Sequence, residues 1–539
     1  MIFSYESPEY LSRRSPVLVA NAAVATSQPL ATHAGVQILL AGGNAADAAV
    51  AVAAVLQVTQ PCSTGLGGDA FFIYYDVSSR RVLAYNGSGR SPARLTRETA
   101  TRVARGGNLP DCHPYTVTVP GAADAWCAAQ GRFGRLDLAE VLAPAIACAR
   151  EGFPVAPLTA RWWHAGVARQ LSHTRYGYEL MIGGRAPRAG ELFSNPGLAA
   201  VLAAVAEDGT KAFYRGWIAE RIVDAIDSEG GVLSRQDLAD HSGEWVDPIG
   251  IDYHGHMVWE CPPNGQGVAT LLALNAYSML SPSSELERVH GQIEAMRLGF
   301  ADAAEYVADP DFAPAPLTEL LSASYGASRA AQISFSSRID HAGPGIAGHS
   351  GDDTVYFAVV DEEGNGCSFI NSNFMGFGTG IVPKGCGFSL QNRGRGFTLH
   401  DGHPNTLAPR KRPYHTIIPA MVTATDSGDL EAVFGVMGGM MQPQGHLQTV
   451  TALCDGVDPQ TALDRPRFQI VDGSPDGRLL VEDSMPADLI KRLRRLGHSI
   501  ECVDGFGRSM FGLGQIIARG DRVWWCGSDP RGDGAAAGY

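Results

Sequence analysis

Apolar residues recur at helical spacing through LATHAGVQILLAGGN and stop at Gly42-Gly43, a pair suited to a helix C-terminus. Asn44 then stands where the cap of a second helix is expected, ahead of AADAAVAVAAVLQV. That second segment is apolar nearly all round, which predicts a buried helix whose small side chains let neighbouring backbones approach. In CSTGLGGDAFFIYYDVSSRRVLAYNGSG a glycine-rich loop feeds a strand, a turn and a returning strand. From about residue 120 to 340 the pattern is mainly helical. HGQIEAMRLGFADAAEYVADP is its clearest amphipathic helix, expected to end at Asp309-Pro310. Between Ala342 and Asp353 the chain becomes AGPGIAGHSGDD, which is small, polar and turn-rich and reads as an exposed, cleavable loop. TVYFAVVDEEGNGCSFI follows at once as strand, turn and strand, so the sharpest change in composition falls between 353 and 354. From Arg478 onward strand and helix patterns alternate (RLLVED, ADLIKRLRRLG, SIECVD, GQIIARG, RVWWCG), as in an α/β body and not a tail.

Composition narrows the function classes. The 539 residues are 45% hydrophobic and 18% charged, as in a compact protein with a large core. A formal net charge of -14 disfavours nucleic acid as a partner, because neutralising phosphates needs clustered Lys and Arg. The start, MIFSYESPEYLSRRSP, has no apolar signal-peptide region, and the run Ala48 to Val58 is too short to span a bilayer. The ten cysteines form no CxxC pair, which argues against zinc ribbons and redox dithiols and for reduced thiols in the cytoplasm. GFGTG and GLGG lack the strand–loop–helix frame of a dinucleotide site, and neither a P-loop nor an HExxH motif occurs. No metal, no cofactor, no nucleic acid and no membrane partner is expected.

Thr354 combines two features that nucleophilic chemistry needs. A threonine hydroxyl holds its proton near neutral pH, but a threonine that opens a chain has its own α-amine as a base. Thr354 would open a rigid strand directly after a cleavable loop. From its local sequence alone, a β-branched residue that simply favours strands fits equally well.

The wider chain resembles the γ-glutamyltransferase (glutathione hydrolase) family of N-terminal-nucleophile (Ntn) hydrolases. The resemblance rests on AVATSQPLATHAGVQILLAGGNAADAAVAVAAVLQVTQP, STGLGGDAFF, TVTVPGA at 116–122, CPPNGQG at 261–267 and EAMRLGFADAAEYVADPDF at 294–312. It continues in TVYFAVVDEEGN at 354–365, FGTGIV at 377–382, RPYHTIIPAM at 412–421 and GVMGGMMQPQGHLQ at 435–448. The resemblance implies an α/β (α+β) four-layer αββα sandwich. It also implies cleavage between Asp353 and Thr354 into a large subunit, 1–353, and a small one, 354–539. Thr354 would then be the nucleophile, Ser372 its assisting hydroxyl, and Gly438 and Gly439 the backbone donors to the oxyanion. The partners implied are a small amide substrate and the two fragments of the chain's own precursor.

The substrate pocket departs from the family pattern. Ser88 stands where an arginine is usual, with Arg90 two residues away. Gly396 replaces the acid that holds the substrate ammonium, Arg393 takes an amide position, His415 and Thr416 replace a hydroxyl pair, and Phe374 replaces an asparagine. An ammonium would lose its carboxylate, whereas arginines can clamp a carboxylate in bidentate fashion. The expected substrate is therefore a small carboxylate-bearing amide without an α-amine, such as oxamate. The alternatives are a glutathione hydrolase or transferase with a rearranged pocket, an acylase for larger amides packed on Phe374, and a scaffold relative without activity.

Overall fold

The computed structural model describes residues 14–342 and 353–539. The turn-rich segment 343–352 read from the sequence lies outside the described residues. Two seven-stranded antiparallel sheets face each other. The first runs Ala535–Gly538, Ala23–Thr26, Asp353–Val360, Gly366–Phe374, Asp69–Asp76, Arg81–Asn86, Glu244–Val246. The second runs Val17–Val19, Trp524–Ser528, Leu513–Arg519, Leu430–Met437, Ala420–Ala424, His256–Glu260, Ile249–Tyr253.

Strand alternation sorts side chains into three apolar layers. Tyr356, Ala358 and Val360 point between the sheets and meet Met421, Val433 and Ile517. Val355, Phe357 and Val359 point the other way, against the helices Pro29–Leu40 and Ala45–Thr59. Phe434 and Ile516 pack the second sheet's outer face against Gly267–Tyr277, Glu285–Tyr306 and Met441–Cys454. Helices, sheet, sheet and helices give the αββα sandwich. Both sheets draw strands from either side of the 353/354 junction, so the segments on its two sides are interleaved.

The helix pair at the start forms as its pattern predicts. The Asn44 side chain accepts from Ala46 N and Asp47 N, Asp47 completes a capping box, and every residue of Ala45–Thr59 is buried. The helix Glu285–Tyr306 differs from its amphipathic reading. It ends before Asp309, and Val289 through Ala304 are all buried, including His290, Gln292, Glu294 and Arg297. These polar side chains turn inward because backbone and side-chain partners meet them there: Arg297 donates to Pro475 O and Gly477 O, and Glu294 accepts from Ile339 N. Among the described residues no helix is long and apolar enough to cross a membrane.

Between the two sheets a glycine faces an aromatic ring. A Cβ at Gly435 would fall 2.5–2.7 Å from ring carbons of Tyr356, whose hydroxyl lies 2.9 Å from Ser368 Oγ. Gly435→Ala is expected to destabilise the protein by about 1–3 kcal/mol through overpacking. A guanidinium denaturation midpoint should fall accordingly, and an unchanged midpoint would mean that the sheets are free to separate there.

Candidate active site

Thr354 opens the third strand of the first sheet, at an irregularity in its pairing. The register passes from Asp353↔Phe374 to Val355↔Asn371, so the ladder shifts at Thr354. Thr354 is 1% exposed, and its Oγ1 donates to Ser372 Oγ at 3.0 Å. Ser372 Oγ also accepts from Phe374 N at 2.8 Å and from Arg393 NH2 at 3.3 Å. Arg393 NH1 donates to Thr416 Oγ1 at 2.7 Å. Gln266 Nε2 extends the chain of contacts, donating to Thr416 O at 2.6 Å and Gly439 O at 2.9 Å. Thr354, Ser372, Arg393, Thr416 and Gly439 are thus joined in one continuous network.

Gly438 and Gly439 connect the strand Leu430–Met437 to the helix Met441–Cys454. Their φ values of +132° and +56° are ones that side-chain-bearing residues rarely adopt. Neither N–H has a backbone acceptor among the described residues. Two backbone donors at the start of a helix form a place where negative charge is favoured. Phe374 holds φ +80° although it is not glycine, and its ring lies over the Arg393 guanidinium with 4.2 Å between Cζ and the ring centre. An aromatic residue kept in the left-handed region costs about 1–2 kcal/mol and marks a position fixed by its surroundings.

Arg393 is fully buried, and its Nε has no hydrogen-bond partner among the described residues. Loss of solvent pulls its pKa down to about 9, while the Asp69 carboxylate works in the other direction, so the side chain stays cationic at neutral pH. Asp69 is the counter-charge. Its Oδ2 meets His415 Nε2 at 3.0 Å, and its Oδ1 accepts from Gly89 N, Gly121 N and Gln391 Nε2 at 3.1, 3.0 and 3.0 Å. Burial opposes ionisation of Asp69, but these donors and the Arg393 charge outweigh it and lower its pKa. His415 is pushed down to about 3, by burial first and by Arg393 second. A neutral imidazole donating Nε2–H to Asp69 fits both shifts, and His415 Nδ1 then accepts from Ile417 N at 3.3 Å.

The other expected substrate contacts fall elsewhere. Arg90 does not join the Thr354–Arg393 network: it pairs with Glu244 at 2.9 Å and Asp311 at 3.0 Å, two acids that give it a partner near the surface. Ser88 Oγ lies 2.8 Å from Asn86 Oδ1 and accepts from Asn264 Nδ2 at 3.2 Å, so it supports the neighbouring loop. His415 is engaged by Asp69 and packs on the Phe71 ring. Sequence reasoning missed Asp69, Gln266 and Gln391. An acid at the head of the apolar strand DAFFIYYD was the available signal for Asp69; Gln266 and Gln391 had none.

One further cluster has metal-ligating residue types. The potential ligand atoms of His290, Glu294 and His498 lie within 4.8 Å of one another. His290 Nδ1 and His498 Nε2 are already hydrogen-bonded at 2.8 Å, and Arg297 Nε lies 3.4 Å from Glu294 Oε1. A buried guanidinium therefore already supplies the positive charge beside this carboxylate.

The Asp69–His415 pair makes a stability prediction. Unfolded histidine takes up its proton near pH 6.5, whereas native His415 does so only near 3. Between those values the unfolded state binds more protons, so stability present above pH 6.5 is lost as pH falls, by up to about 1.4 kcal/mol per pH unit. Urea midpoints measured from pH 7 to 4.5 should fall more steeply for wild type than for His415→Asn; equal slopes would refute a neutral, buried imidazole.

The chain is similar over nearly its whole length to known proteins. A sequence model of the family described as Gamma-glutamyltranspeptidase matches residues 31–539. The chain is 38% identical over 522 residues to the glutathione hydrolase-like YwrD proenzyme of Bacillus subtilis (strain 168), covering 94% of this chain and 97% of that protein. It is 33% identical over 524 residues to the oxamate amidohydrolase proenzyme of Klebsiella pneumoniae subsp. pneumoniae, covering 95% and 97%. The crystal structure of cephalosporin acylase from Bacillus halodurans superposes with a TM-score of 0.92 at 42% identity, covering 100% of this chain and 99% of that one. The chain belongs to the gamma-glutamyltranspeptidase family.

Proposed function

We propose that this protein is a self-processing amide hydrolase whose nucleophile is Thr354. The observation that carries the reading is the Thr354 hydroxyl, buried at the head of a central strand and donating at 3.0 Å to a serine that a guanidinium also holds. In the first reaction Thr354 Oγ1 attacks the Asp353 carbonyl, and the peptide C–N bond breaks as the nitrogen takes a proton and becomes the α-amine. Water then hydrolyses the ester left between Asp353 and Thr354 Oγ1, giving fragments 1–353 and 354–539. The interleaved strands keep the two fragments together as one body. In the second, the freed α-amine takes the hydroxyl proton as Thr354 Oγ1 attacks the substrate amide. The N–H groups of Gly438 and Gly439 stabilise the oxyanion, an amine or ammonia leaves, and water releases the acid. The relatives named as proenzymes support this order of events. The cysteines form no disulfide among the described residues, in keeping with a cytoplasmic setting.

The substrate is a small amide that bears a carboxylate or oxo group, with oxamate the simplest candidate. Arg393 keeps an unpartnered Nε–H beside the nucleophile's serine. No acid in the network is open to an ammonium, because Asp69 already accepts four hydrogen bonds and Gly396 has no side chain. A second reading, an acylase for larger side-chain amides, is favoured by the apolar Phe374 ring over Arg393 and by the likeness to cephalosporin acylase. A glutathione hydrolase or transferase with a rearranged pocket remains the alternative within the family.

Intact mass of the purified protein tests the nucleophile. Wild type should give two fragments parted between Asp353 and Thr354, and Thr354→Ala a single uncut chain; one uncut mass for both would favour a scaffold without activity. Ser372→Ala should slow turnover roughly 10- to 100-fold, the loss expected for a charge-assisted hydrogen bond. Release of ammonia from oxamate, set against hydrolysis of γ-glutamyl-p-nitroanilide and of an aromatic side-chain amide, separates the three substrate readings.

A further inference from the structure

A nucleophile that uses its own α-amine as base works only while that amine is unprotonated, and an unperturbed α-amine is mostly protonated at neutral pH. Nearby fixed charges decide the balance: a cation disfavours the ammonium form and an anion favours it. Arg393 lies two hydrogen bonds from Thr354, through Ser372. Asp69 is the cross-strand partner of Ser372, and its carboxylate is hydrogen-bonded to His415 at 3.0 Å. All of these side chains are buried, so water screens the charges little.

Several other charged groups are paired among themselves. Glu260 of the second sheet and His446 of the helix Met441–Cys454 meet at 2.7 Å, Arg395 holds Asp111 at 2.9 Å, and Arg412 holds Glu244 at 2.9 Å. Arg393 has no such direct ion pair among the described residues. Its cation is hydrogen-bonded to the serine that holds the nucleophile, while the Asp69 carboxylate across the strand from that serine is bonded to a neutral imidazole.

Resting on the reading of Thr354 as an N-terminal nucleophile, we propose that Arg393 and Asp69, placed on either side of Ser372, are opposed positioning residues that set the protonation of the Thr354 α-amine. Arg393 keeps the amine free at neutral pH, and Asp69 limits that effect. Arg393 also orients the hydroxyl by holding Ser372 Oγ and Thr416 Oγ1 in place. The pair thus couples the charge chosen for substrate recognition to the activation of the nucleophile.

The amine can be titrated without knowing the substrate. Matured protein is treated with limiting acetic anhydride at a series of pH values from about 5 to 9, spanning the ordinary α-amine range. Acetylation of the peptide that begins at Thr354 is then read by mass spectrometry against a free-amine standard. Arg393→Gln should raise the midpoint by about one unit, Arg393→Lys should stay near wild type, and Asp69→Asn should lower it. Melting curves identify any variant that fails to fold, and the remaining variants then carry the test. Midpoints unmoved, or moved in the same direction by Arg393→Gln and Asp69→Asn, would overturn the proposal. Folded Arg393 variants that both fail to mature would also overturn it, by placing the guanidinium in cleavage and not in the amine's protonation. An uncut wild-type chain would instead remove the amine itself, and with it the nucleophile reading.

Discussion

The strand Asp353–Val360 is hydrogen-bonded along both edges and apolar on both faces, held between Ala23–Thr26 and Gly366–Phe374 and between the helices and the second sheet. A residue at the head of such a strand has little freedom. Thr354 inherits its position from Val355 and Tyr356, which are anchored in opposite apolar layers. The ladder irregularity at Thr354 then turns its hydroxyl toward Ser372 without disturbing the strand behind it.

Placing a buried guanidinium beside that hydroxyl creates the second constraint. An uncompensated charge in such a site is costly, so the surroundings are arranged to balance it. Asp69 supplies the negative charge, and four donors, the neutral His415 among them, keep it ionised. Phe374 covers the face of the guanidinium at the expense of an unfavourable backbone angle. The positions that depart from the usual glutamyl pocket (His415, Thr416, Arg393 and Phe374) are therefore in contact or nearly so.

Much of this was legible in the sequence. The helix pair, its Asn44 cap, the hairpin after the glycine-rich loop and the strand at 354 follow from local periodicity and capping chemistry. So does the alternation of strand and helix from Arg478 onward. The layered fold and the grouping of Thr354, Ser372, Gly438 and Gly439 came from motif resemblance, since these residues are far apart in the chain.

The sequence by itself determined which segments become strands and helices, because hydrophobic period and caps act over a few residues. Only the tertiary structure decided the partners of charged and polar side chains. Arg90 and Arg393 look alike as loop arginines, yet one meets Glu244 and Asp311 near the surface and the other is sealed beside Ser372. The helix Glu285–Tyr306 looks amphipathic, yet its polar side chains point into the protein, where backbone carbonyls and other side chains receive them. Long-range pairings such as Asp69 with His415 depend on how the strands of one sheet and the loops of another are brought together. No local pattern in the chain encodes that.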